Sequence, residues 1–205
     1  MGGDLTERQE AALLTLAPLL GDDFYLGGGV AVALRFHHRT SRDLDLFASE
    51  CDPVSFEERL AQMPGVRVTA RAPGTLHLEV GGVPVSMLRY RYPLLHAPEP
   101  SSRVPVRLAS VEDLVCMKLS AIGGRGARRD FWDLHRMLVA SSLSLRDALR
   151  LFALKFAAVD CGHIVRALVY FADADHEPMP VELDADTWEL IKRDFETWVM
   201  QLPSE

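Results

Sequence analysis

The pattern of apolar and polar positions changes near residue 110 of this 205-residue chain. Before that point, short apolar stretches alternate with period two and are separated by glycine, proline and charged residues, which is typical of strands joined by turns. After Ser110, apolar residues recur with the 3.6-residue period of amphipathic helices. We therefore predict an α/β (α+β) first half, residues 1–109, and a helical second half, residues 110–205.

Local signals place the elements of the first half. Thr6 and Gln9 form a capping box that predicts a helix running to about Leu20, and Pro53 favours the start of another helix. Gly81 and Gly82 are a two-residue hairpin signal between two strands. The predicted strands are 24–26, 43–47, 66–70, 75–80, 83–89 and 106–108, and the further helices are 30–36 and 54–62.

The second half is predicted to be almost entirely helical. Ser110 is a suitable N-cap for its first helix, and a glycine-rich stretch at 123–126 ends that helix. Two prolines in 173–180 predict a loop. The predicted helices are 110–122, 129–139, 145–158, 161–172 and 185–200.

A pair of aspartates carries the most informative chemistry. Asp43 and Asp45 lie one residue apart on a predicted strand, so their carboxylates project from the same face. Adjacent carboxylates repel each other unless a cation lies between them, and oxygen ligands suit Mg²⁺ or Mn²⁺. The glycines 27–29 predict a tight bend before a short helix whose free N–H groups can hold phosphate. Together these features predict a nucleotide site, with a solvated strand end as the alternative.

Composition and charge narrow the class of protein. The chain is 48% hydrophobic and 25% charged, as ordinary soluble globular proteins are. Its apolar runs are shorter than the ~20 residues that cross a bilayer, and it opens without the basic region and apolar core of a signal peptide. Its three cysteines are widely spaced and predict neither a disulfide framework nor a zinc site. We therefore expect a cytoplasmic protein without membrane association.

The net charge of −7 argues against a general nucleic-acid binder. Acidic residues concentrate after Phe171, however, and positive side chains gather near the predicted site. Such a local basic patch is compatible with triphosphate and with RNA, whereas scattered surface arginines are the alternative. The residues concerned are Arg35, Arg39, Arg42, Arg89, Arg91, Lys118, Arg125, Arg128 and Arg129.

Two sequence blocks resemble the nucleotidyltransferase-fold toxins of the abortive-infection AbiEii/AbiGii type. The first comprises Gly28-Gly29 followed by Val-Ala-Val-Ala-Leu and then Arg39-x-Ser41-x-Asp43-Leu44-Asp45-Leu46-Phe47. The second comprises Asp113-Leu114-x-x-x-Lys118-Leu119-x-Ala121 and Arg125-Gly126-x-x-Arg129-Asp130-Phe131-x-Asp133-Leu134. The resemblance implies a small mixed sheet with flanking helices, a Mg²⁺–NTP site, and a C-terminal helical bundle that completes the nucleotide cleft and packs with residues 1–109 as one unit.

The resemblance also implies an activity. Such enzymes transfer a nucleoside monophosphate from an NTP to an acceptor hydroxyl. In the toxins this hydroxyl is expected to belong to RNA, notably tRNA, and the toxins are usually encoded beside an antitoxin. Two alternatives are a nucleotidyltransferase that modifies a small molecule such as an antibiotic, and a degenerate nucleotide-binding module without catalysis.

Roles for individual residues follow from the resemblance and from their chemistry. Asp43 and Asp45 would hold Mg²⁺ or Mn²⁺ and act in catalysis, while Gly28 and Gly29 allow close approach to phosphate and Ser41 donates a hydrogen bond to it. Four further residues are expected to bind the nucleotide: Lys118, Arg125, Arg129 and Asp130. We expect a similar contact from Arg128. An ion pair with Arg129 or Arg136 is the alternative for Asp130, and for Asp133 it is the interpretation that we favour.

One position departs from the family pattern. Active enzymes of this fold usually have a third carboxylate on a neighbouring strand, and the matching residue here is Ser86. If Gly81 and Gly82 form the turn, His77 pairs with Ser86, and Glu79 lies diagonal to Ser86 at about 7–8 Å. Glu79, or His77 as a base, could then replace the missing group; loss of catalysis is the alternative.

Overall fold

The computed structural model describes residues 5–157 and 160–203. The chain divides into two compact units, Met1–Ser110 and Val111–Glu205. Residues 1–4, where a signal peptide would begin, and the predicted helix end at residue 158 lie outside the described residues. Within the described part of the chain, no helix is long and apolar enough to cross a membrane.

The first unit contains one six-stranded mixed sheet. Its strands are β1 (Phe24–Leu26), β2 (Leu44–Ala48), β3 (Val66–Ala72), β4 (Thr75–Val80), β5 (Val83–Arg89) and β6 (Arg107–Leu108). Their order across the sheet is β3-β4-β5-β2-β1-β6. β2 runs parallel to β5 and antiparallel to β1, while β1 and β6 are parallel. The predicted mixed sheet is therefore confirmed.

Among the described residues of this unit, the α-helices that accompany the sheet are α1 (Glu7–Leu20), α2 (Gly28–Phe36) and α3 (Glu57–Ala61). The capping box of Thr6 and Gln9 starts α1 as predicted. The predicted single helix at 54–62 is wrong in its form, because a 3₁₀ turn at Pro53–Phe56 precedes α3. Asp52 accepts a hydrogen bond from the Val54 amide at that turn, which favours the tighter 3₁₀ geometry at its start.

The hairpin between β4 and β5 has the predicted register. Gly81 and Gly82 have φ values of 58° and 83°, which the favoured two-residue hairpin turns with two positive φ angles require. Val80 pairs with Val83, Glu79 with Pro84, and His77 with Ser86. The Gly81–Gly82 turn, which could be predicted from the sequence, therefore determines which side chains of β4 and β5 lie opposite each other.

Alternation along the strands separates a core face from a polar face. Leu44 and Leu46 of β2 are completely buried, as are Leu76 of β4 and Met87 of β5. The intervening residues point to the other face because side chains alternate along a strand. The polar residues of the candidate site lie on that second face.

The second unit is helical, as predicted. Its helices are α4 (Val111–Gly124), α5 (Arg128–Ser141), α6 (Leu145–Phe156), α7 (Gly162–Ala167), α8 (Ala172–His176) and α9 (Ala185–Met200). α4 packs against α5, α6 and α7. At its core, the Phe131 ring lies 5.2–6.1 Å from the rings of Phe171, Trp188 and Phe195.

The prediction of one helix over 161–172 followed by a loop is wrong. α7 ends at Ala167, and α8 occupies the beginning of the predicted loop. Two acidic residues in the first turn of α8, Asp173 and Asp175, interact favourably with the helix dipole. Asp175 also accepts a hydrogen bond of 2.7 Å from the Trp188 indole, a contact between distant parts of the chain that local patterns do not reveal.

Candidate nucleotide site

The glycine turn lies directly against the strand that bears the aspartates. The Gly27 amide donates to the Asp45 carbonyl oxygen at 2.9 Å. Gly28 has a φ of +61°, and a Cβ atom at this position would overlap the Asp45 carboxylate. A Cβ atom at Gly29 would lie 2.6 Å from Ser41 Oγ and 2.7 Å from Arg39 Nη2. The two glycines therefore allow a backbone approach that any side chain would prevent.

This turn also forms the start of α2. The helix begins at Gly28 with Gly27 as its N-cap, two positions earlier than predicted. The first amides of a helix have no partner within the helix and carry the positive end of its dipole. Because glycine has no side chain to cover them, they present a surface that suits phosphate.

Asp45 lies beside that surface, and Asp43 precedes it by two positions in the chain. The predicted strand begins at Asp43, but β2 begins at Leu44. Asp43 therefore immediately precedes the strand. Asp43 is exposed and Asp45 is partly exposed, whereas the flanking Leu44 and Leu46 are buried. The two carboxylates are thus accessible while the residues between and after them anchor the strand in the core.

Ser86 and His77 continue across the sheet from Asp45. Asp45 pairs with Ser86 of β5, and Ser86 pairs with His77 of β4. His77 Nδ1 lies 3.2 Å from Ser86 Oγ, within hydrogen-bond distance. Ser86 therefore lies beside Asp45, and His77 lies beyond Ser86. That Ser86 stands at the position of the family's third carboxylate stays a prediction.

Glu79 is less favourably placed than His77. Glu79 pairs with Pro84, and its carboxylate accepts a hydrogen bond from Arg67 at 2.8 Å, with 43% of its side chain exposed. β5 separates its strand from β2, and two strand spacings amount to about 10 Å. The assignment of Glu79 to catalysis stays a prediction, while the contact with Ser86 favours His77.

Two buried residues support the segment before Asp43. Arg39 is only 6% exposed, and its Nη1 atom donates to the Thr40 carbonyl oxygen at 2.8 Å. Gln9 of α1 donates to the carbonyl oxygens of Ser41 and Arg42 at 2.8 and 3.0 Å. The sequence indicated Arg39 as one of several basic residues and as part of the first family block, and Gln9 as part of a helix cap. It did not reveal these contacts, because they depend on packing in three dimensions.

In the helical unit, three of the predicted nucleotide-binding residues belong to an ion-pair network. Lys118 Nζ lies 2.9 Å from Asp130 and 2.7 Å from Asp133, and both carboxylates are completely buried. Arg125 donates to Asp130 at 2.7 and 2.9 Å. Burial alone would raise the pKa of Asp130, but Lys118 and Arg125 together hold that pKa below its ordinary value.

This network changes the interpretation of several residues. Asp130 is completely buried and contacts Lys118 and Arg125, which favours a role in positioning these two cations; its direct part in nucleotide binding stays a prediction. Asp133 was expected to pair with Arg129 or Arg136 and instead pairs with Lys118. The side chain of Arg125 is 58% exposed, and Arg129 is exposed.

Arg128 is also corrected. It is only 5% exposed, its amide donates to Glu177 at 2.8 Å, and its guanidinium donates to the Asp175 carbonyl oxygen at 3.1 Å. The guanidinium carbon lies 5.3 Å from the Trp188 ring centre. Arg128 therefore joins α5 to the segment before α9 and is not available for phosphate.

The carboxylates near the glycine turn suit Mg²⁺ better than zinc. Among the residues that the structure describes, no group of three or more histidine, cysteine, aspartate or glutamate side chains could hold a metal ion. Zinc sites need at least three protein ligands, whereas Mg²⁺ is commonly held by one or two carboxylates together with water and substrate phosphates. Asp45 beside the start of α2, with the exposed Asp43 two positions before it, fits the latter.

Comparison with known proteins decides the family. A model of the nucleotidyl transferase AbiEii toxin, of type IV toxin–antitoxin systems, matches residues 12–65 and 49–201. The chain belongs to the AbiEii family. An uncharacterized protein of Aquifex aeolicus strain VF5 is 34% identical over 174 residues, which are 83% of this chain and 84% of that protein. The resemblance seen in the sequence is confirmed.

Solved structures support the same fold. The nucleotidyltransferase toxin MenT4 of Mycobacterium tuberculosis H37Rv is similar over 96% of this chain and 82% of its own, with a TM-score of 0.64 and 18% identity. The antibiotic-resistance factor ANT(2'')-Ia is similar over 77% of this chain and 98% of its own, with a TM-score of 0.57 and 18% identity. This AbiEii member is an enzyme of the nucleotidyltransferase type, and its family implies a nucleotide substrate and an antitoxin partner.

Proposed function

We propose that this AbiEii protein transfers a nucleoside monophosphate from an NTP to a hydroxyl group of RNA, with tRNA as the expected acceptor. Asp43 and Asp45 would hold Mg²⁺ or Mn²⁺. The observation that carries the proposal is the approach of the Gly28–Gly29 backbone to Asp45, Ser41 and Arg39. The Asp45 carboxylate, the Ser41 hydroxyl and the start of α2 are thereby close together, and these groups suit a metal-bound triphosphate.

Each group at this site has a distinct task. The amides at the start of α2 bind phosphate oxygens, and the Ser41 hydroxyl donates a further hydrogen bond to them. Arg39 lies behind the turn and adds positive charge near the phosphates. A divalent ion at Asp43 and Asp45, when bound, would stabilise the charge that develops on the phosphates during an in-line displacement.

In the transfer, the acceptor oxygen forms a bond to the α-phosphorus while the bond from that phosphorus to pyrophosphate breaks, so pyrophosphate leaves and the acceptor hydroxyl must lose its proton. The register of His77, Ser86 and Asp45 and the hydrogen bond between His77 and Ser86 support a relay. Ser86 Oγ would accept the proton of the acceptor hydroxyl while its own proton moves to His77 Nδ1. Glu79 remains the alternative proton acceptor.

The proposal is tested by label transfer. Each of the four NTPs, labelled at the α-phosphate, is incubated with the protein, Mg²⁺ or Mn²⁺, and total tRNA, with the Asp43→Ala/Asp45→Ala variant as control. Label in tRNA that disappears with the variant supports the proposal and identifies the nucleotide. Metal-dependent NTP binding without label in any RNA would overturn the RNA acceptor in favour of a small molecule or of a degenerate, binding-only module.

The toxin character has a separate test. Expression of the wild-type chain is expected to arrest growth, whereas the double aspartate variant is expected to be tolerated at the same protein level. Co-expression of an antitoxin encoded beside the gene should relieve the arrest. Growth that is unaffected by wild-type protein, measured at matched expression, would contradict toxicity without contradicting the transfer reaction.

A further inference from the structure

One buried side chain of the first unit has polar contacts on both sides of its amide group. Gln9 lies in the first turn of α1 and is only 3% exposed. Its oxygen accepts from the Thr6 amide at 2.9 Å and from the Thr6 hydroxyl at 3.1 Å. Its nitrogen donates to the carbonyl oxygens of Ser41 and Arg42 at 2.8 and 3.0 Å. The Gln9 side chain therefore joins the start of α1 to a segment more than thirty positions away in the sequence.

The segment that Gln9 holds is the one that leads into the candidate site. Ser41 Oγ lies against Gly29, and Asp43 follows Arg42 immediately before β2 begins at Leu44. Ser41, Arg42 and Asp43 belong to no helix or strand, so the hydrogen-bond ladder of the sheet does not fix them. Two hydrogen bonds to consecutive carbonyl groups restrict the direction in which this short segment runs.

A helix cap alone does not explain this arrangement. The cap needs only the Gln9 oxygen, which faces Thr6, and a glutamate would serve the cap equally well. The Gln9 nitrogen is what contacts the segment, and only an amide offers an acceptor to one side and two donors to the other. The amide side chain at position 9 therefore suits both the cap of α1 and the contact with the carbonyl groups of Ser41 and Arg42.

We infer that Gln9 is a positioning residue, which holds residues 41–43 so that Ser41 and Asp43 present their oxygens beside the start of α2. Its effect on ligand binding rests on the proposed function, but its effect on the segment does not. Gln9 acts through the backbone and touches neither metal nor nucleotide.

The decisive variant is Gln9→Glu, because it retains the acceptor for Thr6 and replaces the two N–H donors by an oxygen that faces two carbonyl oxygens. Gln9→Met, which has a similar size and no donor, guards against effects of the new carboxyl group. Thr6→Ala is the matched control, because it removes hydroxyl contacts of the cap and leaves the Gln9 nitrogen in place. Thermal unfolding of all three variants shows whether each is folded.

Two measurements are made on the full chain. Backbone NMR order parameters of residues 41–43 without metal are expected to fall from about 0.85 to below about 0.6 in both Gln9 variants and to stay high in Thr6→Ala. Mn²⁺ affinity in the presence of a non-hydrolysable NTP analogue is expected to fall roughly tenfold in the Gln9 variants and by less than about twofold in Thr6→Ala.

The outcomes separate this inference from the proposed function. Unchanged order parameters in folded Gln9→Glu and Gln9→Met overturn the positioning role, as does an equal loss in Thr6→Ala. Lower order parameters in a protein whose wild type binds no Mn²⁺ with the analogue support the positioning role and count against the proposed metal site instead.

Discussion

Gly28 and Gly29 differ from other glycines of the chain in what lies next to them. Gly21, Gly28 and Gly65 all have positive φ angles, but a methyl group would collide with a functional side chain at Gly28, and at Gly29 as well. The positive φ alone is a property of many turns. The collision with Asp45 and with Ser41 indicates that the absence of a side chain serves the site and not only the bend.

Replacement of Gly28 by alanine is therefore expected to weaken ligand binding, in addition to any loss of folding stability. Displacement of the Asp45 carboxylate should weaken Mn²⁺–nucleotide binding at least about tenfold, as measured by calorimetry. The matched control is Gly21→Ala, which has a φ of +52° and, among the described residues, no heavy atom within 4 Å of the added methyl group. It should lose about 1–3 kcal/mol of stability, because a φ of 52° with a ψ of −145° is rarely adopted by residues other than glycine, and it should retain binding. Equal affinities for both variants would contradict the proposed geometry.

His77 and Glu79 make opposite predictions about proton transfer. If Ser86 passes the proton to His77, His77→Ala should lower kcat about a hundredfold with little change in KM, because the proposed relay gives His77 no part in binding the nucleotide. Glu79→Ala breaks an exposed ion pair with Arg67 and should change kcat by less than about twofold. A large loss in Glu79→Ala with a normal His77→Ala would restore the original assignment of Glu79.

A further variant tests the position of Ser86 directly. Ser86→Asp places a carboxylate beside Asp45, at the site of the family's usual third acidic residue. The double variant His77→Ala/Ser86→Asp is expected to have a kcat about tenfold higher than that of His77→Ala alone. No recovery, with the double variant folded and still binding nucleotide, would show that this position takes no part in the reaction.

At the scale of elements, the ion-pair network of Lys118, Asp130 and Asp133 joins α4 to α5. Charges this deeply buried are stable only when they are paired. The network therefore favours a fixed alignment of α4 and α5, the two helices that carry the second family block. This explains the spacing of the acidic residues without any contact to nucleotide.

The depressed pKa of Asp130 predicts how stability depends on pH. Because the folded-state pKa lies below the unfolded value of about 3.9, Asp130 contributes stability above that pH, and the contribution is lost as pH falls through the folded-state pKa. Asp130→Asn should lower stability by about 3 kcal/mol near neutral pH and flatten the acid limb of a plot of unfolding free energy against pH.

The control for this prediction is Asp147→Asn. The pKa of Asp147 is also lowered, mainly by a hydrogen bond from Ser144, but its carboxylate is exposed on the surface. Its replacement should change the acid limb less than that of Asp130, because solvent screens exposed charges. Identical slopes for wild type and Asp130→Asn between about pH 3 and 5 would show that the network does not govern acid stability.

Most elements could be predicted because their signals are local. Alternation identified β4 and β5 to the residue, the capping box identified α1, and the Gly81–Gly82 turn fixed the pairing of His77 with Ser86. The contacts of Gln9, Arg128 and Asp175 could not be predicted, since each joins residues far apart in sequence. Lys118 and Asp130 were assigned from the family motif, which gives residue types but not their burial.

At the scale of the whole molecule, the chain consists of two compact units that each contain one of the two family blocks. The phosphate-binding turn and the aspartates belong to the first unit, and Lys118, Arg125 and Arg129 belong to the second. That the helical residues contact the nucleotide stays a prediction, and Arg129 tests it best because Arg125 already binds Asp130.

Arg129→Ala is expected to weaken NTP affinity about tenfold, which corresponds to about 1.4 kcal/mol, because an exposed guanidinium on a phosphate contributes a charge-assisted hydrogen bond. The matched control is Arg136→Ala: Arg136 is exposed on the same helix, two turns further along, and its loss should leave affinity unchanged. Equal affinities of Arg129→Ala and wild type, measured at one salt concentration, would confine the nucleotide to the first unit. A loss specific to Arg129 would instead require that the helical unit takes part in holding the substrate.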